Sequence, residues 1–198
     1  MKLHVFLADL STELRGRAQA AQGRRLGALA LQRSARKARL TGAPKVFPRD
    51  EEGAPAAFQD SKGATWHWST TNTRGLVAGV VAPTPVALDS EWRGRARLDA
   101  VRASSTPEEL AKLEGFPEPR ELVLWTAKEA VLKVARVGLA GLSETRLFAV
   151  LARDRLVLSF KDKRFAVRTF VLEEHVVAVA CGEPRFEVEL HQLDGVTA

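Results

Sequence analysis

Pro83 and Pro85 interrupt what would otherwise be one apolar run from Leu76 to Leu88. Proline has no N–H to give a β-ladder and fixes its own φ, so a strand cannot pass through such a pair. Trp66 to Val81 reads as strand, and Val86-Ala87-Leu88-Asp89 resumes the pattern after Ala82-Pro83-Thr84-Pro85. The sequence therefore predicts two neighbouring strands joined by a tight turn at the prolines. The same point divides the chain. Upstream lie an apolar stretch from Met1 to Asp9, read as a first strand, and residues 11–40, rich in Ala, Leu, Gln and Arg, read as a helix with Ser11 or Thr12 as its cap. A loop follows from Gly42 to Pro55.

Downstream, Ser104-Ser105-Thr106-Pro107-Glu108-Glu109 has the cap residues, proline and acids that open a helix. A second helix is predicted from Arg120 to Val137, stopped by Gly138. From Leu147 to about Leu190, β-branched and polar residues alternate, with turn signals at Arg153-Asp154 and Lys161-Asp162, which predicts an antiparallel meander. The order implies an α+β protein of two lobes, residues 1–84 and 85–198. With 198 residues the chain is long enough for such a division.

The net charge of +6 is unevenly distributed. No acidic residue falls between Glu13 and Asp50, while Arg15, Arg17, Arg24, Arg25, Arg33, Arg36, Lys37, Arg39, Lys45 and Arg49 all do. Such a block is either a solvated helix face or a binding surface for an anion: nucleic acid, a phosphorylated small molecule or an acidic protein. No helix-turn-helix, zinc-finger, KH or RNP signature supports nucleic acid, which leaves a basic nucleic-acid-binding protein as the rival reading from another class. Cys181 is the single cysteine and sits in an apolar run, so disulfides and cysteine-rich zinc sites are excluded and a cytoplasmic protein is expected. No apolar run approaches the roughly 18–20 residues of a membrane span. His4, His67, His175 and His191 are scattered, with no Gly-x-Ser-x-Gly elbow for a Ser-His-Asp hydrolase, and with so few well-placed histidines and one cysteine no zinc is expected. His67, between Trp66 and Trp68, reads as structural or ligand-lining rather than catalytic.

Two segments carry chemistry. Asp89 and Glu91 are two apart at the end of an apolar strand, so their carboxylates share a face. Trp125, Glu129 and Lys133 follow one another at i, i+4 and i+8 on a predicted helix and share its face. Three carboxylates suit Mg²⁺, and the lysine one turn on from Glu129 suits a phosphate held near that ion. The plainer alternative is an ordinary Glu129–Lys133 surface pair beside a polar strand end.

The spacing of these segments resembles the phosphopantetheinyl transferase superfamily, in particular its surfactin-type members, which carry two pseudo-symmetric α/β lobes in one chain. The family shows Gly-x-Asp-x-Glu at a strand end and, some forty residues on, Trp-[Ser/Thr/Cys]-x-Lys-Glu-[Ala/Ser]-x-x-Lys followed by glycine and leucine. This chain has Ala87-Leu88-Asp89-Ser90-Glu91, then Trp125-Thr126-Ala127-Lys128-Glu129-Ala130-Val131-Leu132-Lys133, then Gly138-Leu139. The likeness is clear over residues 86–142 and weaker over 20–85.

The resemblance implies a Mg²⁺-dependent enzyme that moves phosphopantetheine from coenzyme A to a serine of an acyl or peptidyl carrier protein, releasing 3′,5′-ADP, and a monomer. It implies Asp89, Glu91 and Glu129 as metal ligands, with Asp89, Glu129 and Lys133 catalytic. For coenzyme A it implies Arg24 and Arg33 from the basic helix, Ser69 and Thr70 from the segment Trp68-Ser69-Thr70-Thr71, and Lys128 and Lys133, with Lys128 facing phosphate or solvent. Gly53-Ala54-Pro55 stands where the family has Gly-Lys-Pro, Thr70 where it has histidine, and Ala87 where it has glycine. These departures bear on coenzyme A more than on the metal, and an inactive homologue that still binds a carrier is the alternative within the family.

Overall fold

The structure, a computed structural model, describes residues 1–94, 98–117 and 119–193. The fold is α+β, with two five-stranded sheets in two compact units: Met1–Leu88 with Phe186–Ala198, which carries one described helix, and Asp89–Arg185, which carries several. The sequence divides the chain after residue 84 and gives everything beyond it to the second lobe. In the structure the terminal strand belongs to the first unit instead, because it pairs in parallel with the first strand, Lys2 opposite Glu187 through Leu7 opposite Gln192. An alternating apolar–polar strand fits either sheet, and the periodicity that locates it is silent on its partner.

In the first unit, β1 (Lys2–Asp9) is followed by α1 (Gly16–Lys37), then β2 (Phe58–Gln59), β3 (Thr65–Thr73) and β4 (Leu76–Ala82), with β10 (Glu187–Gln192) closing the sheet in the order β10-β1-β4-β3-β2. The helix begins later than Ser11 or Thr12. Its N-cap is Arg15, which offers no side-chain cap, while the Ser11 hydroxyl accepts the Glu13 N–H at 3.3 Å ahead of the helix. The buried face of α1 is Gly23, Leu26, Gly27, Ala30, Leu31, Ser34 and Ala35, and the arginines fall on the other side. Two glycines on that face let the helix lie close to the sheet: a Cβ on Gly23 would meet the Asn72 side chain, and one on Gly27 would meet Thr70. The Ser34 hydroxyl, fully buried, donates to the His4 carbonyl at 2.7 Å and accepts the Val81 N–H at 2.8 Å, tying the helix to β1 and β4.

The tight turn predicted at Pro83–Pro85 is corrected. β4 pairs antiparallel with β3 through a turn at Arg74-Gly75, and the strand after the prolines, β5 (Val86–Trp92), lies in the other sheet. Gly75 takes φ +81°, the left-handed conformation that a short turn needs and glycine adopts without strain. The prolines therefore mark a change of sheet rather than a hairpin.

In the second unit, β5 leads to α2 (Leu98–Ala103), α3 (Pro107–Lys112), α4 (Arg120–Ala135), a 3₁₀ segment (Gly138–Glu144) and an antiparallel run, β6 (Thr145–Ala152), β7 (Arg155–Phe160), β8 (Lys163–Val171) and β9 (His175–Cys181). The strand order is β5-β9-β8-β7-β6, so the predicted meander is present as β6 to β9 and stops there. α4 packs across it, and Leu122, Leu124, Trp125, Ala127, Val131 and Leu132 share one buried core with Leu147, Leu156, Leu158, Val167 and Ala178. α4 stops before Gly138, with Arg136 taking the left-handed cap at φ +59°. Among the described residues, no helix is long and apolar enough to cross a membrane.

Candidate active site

The strand end that carries Asp89 and Glu91 and the helix face that carries Glu129 meet within the second unit. One carboxylate oxygen from each of the three lies within 4.8 Å of the others. Ligands of an octahedral Mg²⁺ at 2.0–2.1 Å stand about 2.9 Å apart when adjacent and about 4.1 Å when opposite, so the three side chains must close towards one another to hold the ion. Asp89 is the buried member, at 4% exposure. Its Oδ1 accepts from Lys133 Nζ at 2.7 Å, and its Oδ2 is buried with no hydrogen-bond partner. Burial pushes the Asp89 carboxyl above the usual range, against the opposing pull of Lys133. A buried carboxylate oxygen without a partner is costly, and a cation would satisfy it. The donor set, hard oxygens alone, suits Mg²⁺. Residues and ion fit.

Trp125 has a part in this that the sequence pattern alone hides. It shares the α4 face with Glu129 and Lys133, and its indole Nε1 donates to Glu91 Oε1 at 2.9 Å. The ring is 6% exposed, so it packs in the core while its N–H holds a half-buried carboxylate in place. Lys133, with its side chain 41% exposed, bonds Asp89 across to β5, a longer reach than the Glu129 pairing considered from sequence.

Lys128 is corrected. It is expected to face phosphate or solvent, yet it is fully buried, donating to the Ser104 carbonyl at 2.6 Å and to Glu109 Oε2 at 2.8 Å. The rotation of about 100° per residue that puts Glu129 towards β5 turns its neighbour into the packing between α4 and the segment before α3. Burial lowers the Lys128 ammonium below its ordinary value, partly offset by Glu109.

Glu109 is the residue the sequence signals without revealing its reach. Thr106 and Glu109 form a capping box at the start of α3, Thr106 Oγ1 accepting the Glu109 N–H at 3.2 Å and Glu109 Oε2 accepting the Thr106 N–H at 3.1 Å. The same carboxylate accepts from Lys128 on α4 and, through Oε1, from the Leu147 N–H of β6 at 2.7 Å. Burial alone would raise this carboxyl, but the bonds from Lys128, Leu147 and Thr106 outweigh it and hold it below the usual range. The Thr-x-x-Glu spacing is a readable capping signature; the two tertiary bonds are not.

The other sequence-predicted residues lie in the first unit. Arg24 and Arg33 are exposed on α1. Thr70 on β3 is half-buried, its methyl near Gly27 of α1. Ser69 is buried, and its hydroxyl accepts the Leu88 N–H at 3.0 Å. The turn Gly53-Ala54-Pro55 is pinned by Asp50, whose Oδ1 accepts the Ala54 N–H at 2.8 Å. His67 is half-buried, and burial lowers its imidazole below the ordinary value.

No curated protein matches the chain. The segment that contains every residue of the carboxylate cluster does match a known family: residues 85–180 match the 4′-phosphopantetheinyl transferase superfamily.

Proposed function

We propose that the protein transfers 4′-phosphopantetheine from coenzyme A to a serine of an acyl or peptidyl carrier protein, in a Mg²⁺-dependent reaction that releases 3′,5′-ADP. The observation that carries this reading is the meeting of Asp89, Glu91 and Glu129, with Lys133 on Asp89, inside the segment that matches the superfamily. Asp89, Glu91 and Glu129 would hold the ion, and Trp125 keeps Glu91 turned towards it. When bound, Mg²⁺ supplies charge neutralisation and polarisation at the pyrophosphate oxygens of coenzyme A.

The carrier serine hydroxyl attacks the β-phosphorus, the bond from that phosphorus to the 3′,5′-ADP oxygen breaks, and the serine proton passes to a carboxylate of the cluster, Glu129 in this reading. Lys133, exposed enough to leave Asp89 for a phosphate, supports the charge on the leaving group. Arg24, Arg33, Ser69 and Thr70 contribute to coenzyme A, the arginines through the 3′-phosphate. Ser69 would do so by donating its hydroxyl hydrogen to a phosphate oxygen, which can only accept, while its own oxygen accepts the Leu88 N–H. With its single thiol buried, the protein is assigned to the cytoplasm, acting as a monomer.

The test is transfer itself. With coenzyme A, Mg²⁺ and a panel of apo carrier proteins, a carrier should gain about 340 Da by mass spectrometry, the size of the transferred arm. EDTA should abolish the gain, and Glu129→Gln should abolish both Mg²⁺ binding and transfer. A correctly folded protein that modifies no carrier would identify an inactive homologue.

A further inference from the structure

A second cluster of ligating side chains lies in the first unit, well away in sequence from the carboxylates above. β1 and β10 run parallel with His4 opposite Glu189 and Phe6 opposite His191. Residues two apart on a strand share a face, so Glu189 and His191 project together beside His4. His4 Nδ1 and His191 Nε2 stand 3.1 Å apart, His4 Nδ1 lies 3.5 Å from Glu189 Oε2, and His191 Nε2 lies 3.8 Å from Glu189 Oε1. Two ligands of a tetrahedral Zn²⁺, each about 2.0–2.1 Å from the metal, are roughly 3.3 Å apart. The three separations bracket that edge. The two nitrogens lie within hydrogen-bond distance of one another, which without a cation requires a hydrogen on one of them, and Lys2 Nζ stands 3.3 Å from Glu189 Oε2 at the rim of the group. Phe6 stacks on the His191 ring with centroids 4.6 Å apart and fixes its plane.

We propose that His4, Glu189 and His191 form a Zn²⁺ site that ties the terminal strand β10 to β1. Two imidazoles and one carboxylate are a donor set for Zn²⁺ rather than for Mg²⁺, with water completing the tetrahedron. The site differs in chemistry from the all-oxygen cluster and has no part in the proposed transfer. Its consequence is mechanical: β10 is an edge strand, and a metal bond across the β1–β10 pair fastens the two ends of the described chain together. The three side chains are 13%, 43% and 18% exposed, so an ion can reach them from solvent.

The full chain, stripped with chelator and then held in excess Mg²⁺ to fill the carboxylate site, should bind one equivalent of Co²⁺ with the intense visible band of four-coordinate cobalt. Zn²⁺ should displace it and raise the Tm. His191→Gln and, separately, His4→Gln should lose both the band and the Zn²⁺-dependent rise in Tm while keeping the wild-type circular dichroism. If a variant fails to fold, Glu189→Gln, which changes one charge and no volume, should weaken Co²⁺ at least tenfold. The site is refuted if the wild type shows no four-coordinate band, or if the band and the Zn²⁺ shift survive in both histidine variants.

Discussion

The two units repeat one plan: a first strand, a long helix, then antiparallel strands that bring the last of them beside the first. β1 neighbours β4 as β5 neighbours β9, with α1 packed on one sheet and α4 on the other. The seams beneath the two helices differ in kind. Under α1 the contact is made by Gly23, Gly27, Ala30 and Gly79, with one hydroxyl, Ser34, as its polar tie. Under and beside α4 the core carries Leu122, Leu124, Trp125, Val131 and Leu132, and the ties involve charge: ion pairs of Lys128 with Glu109 and Lys133 with Asp89, and the indole N–H of Trp125 donating to Glu91. The first strands end differently as well, since Asp9 is exposed and Asp89 is 4% exposed. One architecture therefore carries a neutral seam built for close approach and a charged seam built to aim side chains. Of the two long helices, α4 brings a carboxylate, Glu129, to the candidate metal cluster, and α1, which contains no acidic residue, brings none.

The largest effect should come from the deepest ionic tie. Lys128→Met leaves Glu109 ionised and 4% exposed without its cation, and breaking a buried pair from one side costs about 3–5 kcal/mol. Adding Glu109→Gln removes the unpaired charge and should restore part of that, its single amide oxygen keeping the Thr106 or the Leu147 N–H but not both, because those bonds fall on different carboxylate oxygens. Denaturant unfolding of the two single variants and the double gives the coupling, and additive losses would dissolve the distinction between the seams. The pH dependence has a definite sign. Glu109 has its carboxyl held below the ordinary value of 4.5, so its share of stability is present above that pH and is lost as pH falls through the lower folded value. Glu109→Gln should therefore be most destabilised relative to wild type at neutral pH, with the gap narrowing in acid.

Lys133 tests the working edge of the same seam. Lys133→Met should lower turnover by about 10²–10³-fold, the usual result of removing one group that stabilises developing charge. Mg²⁺ should still bind. Because the substitution strips Asp89 Oδ1 of its bond, Mg²⁺ should raise the Tm of this variant more than that of the wild type. Equal shifts in both would mean that the ion does not reach Asp89.

How much of this was legible in the sequence follows the same divide. Period-two and period-3.6 patterns found β1, the long helices and the meander because each depends on neighbours in the chain. The carboxylate cluster was legible for the same reason: Asp89 and Glu91 share a strand face, Glu129 and Lys133 a helix face, and the superfamily spacing joins them. What escaped depends on partners remote in the chain. The sheet to which β5 or β10 belongs leaves no trace in its own residues, and β10 finds β1 across more than 180 positions. Lys128 was misplaced because an exposed-looking lysine in a helix gives no local sign that Glu109, 19 residues away, receives it. The α1 cap differs because the Ser11 hydroxyl accepts the Glu13 N–H ahead of the helix, while the Ser11 N–H is taken by the Gln22 side chain of α1.

The arginines of α1 belong to neither seam, and that separates their two predicted effects. Arg24→Ala should leave stability within about 0.5 kcal/mol of wild type, as exposed substitutions usually do. In the proposed role it should weaken coenzyme A by about 1.5–3 kcal/mol, the size of a charge-assisted hydrogen bond, and dephospho-coenzyme A much less. Calorimetry with both ligands decides it, because equal losses would return Arg24 to the solvated face.

The close seam has its own test, with the smallest effect. A Cβ on Gly79 would stand 2.9 Å from the Ala30 Cβ and 3.1 Å from the Leu31 nitrogen, so the helix must move a few tenths of an ångström to admit it. Overpacking of this kind costs about 1–3 kcal/mol, less the 0.4–1 kcal/mol or so that a Gly→Ala change recovers from the unfolded chain. Ala30→Gly removes the nearer obstacle but leaves the Leu31 backbone in place, and it costs about 1 kcal/mol of helix propensity by itself. The double variant Gly79→Ala/Ala30→Gly should therefore be more stable than the sum of its parts without reaching wild type. On the other seam the sign reverses. Ala178 of β9 is fully buried in the α4 core, so Ala178→Gly opens space there instead of relieving a clash. If Gly79→Ala proves neutral or stabilising, α1 does not need its glycine seam, and the contrast between the two helices reduces to their ions.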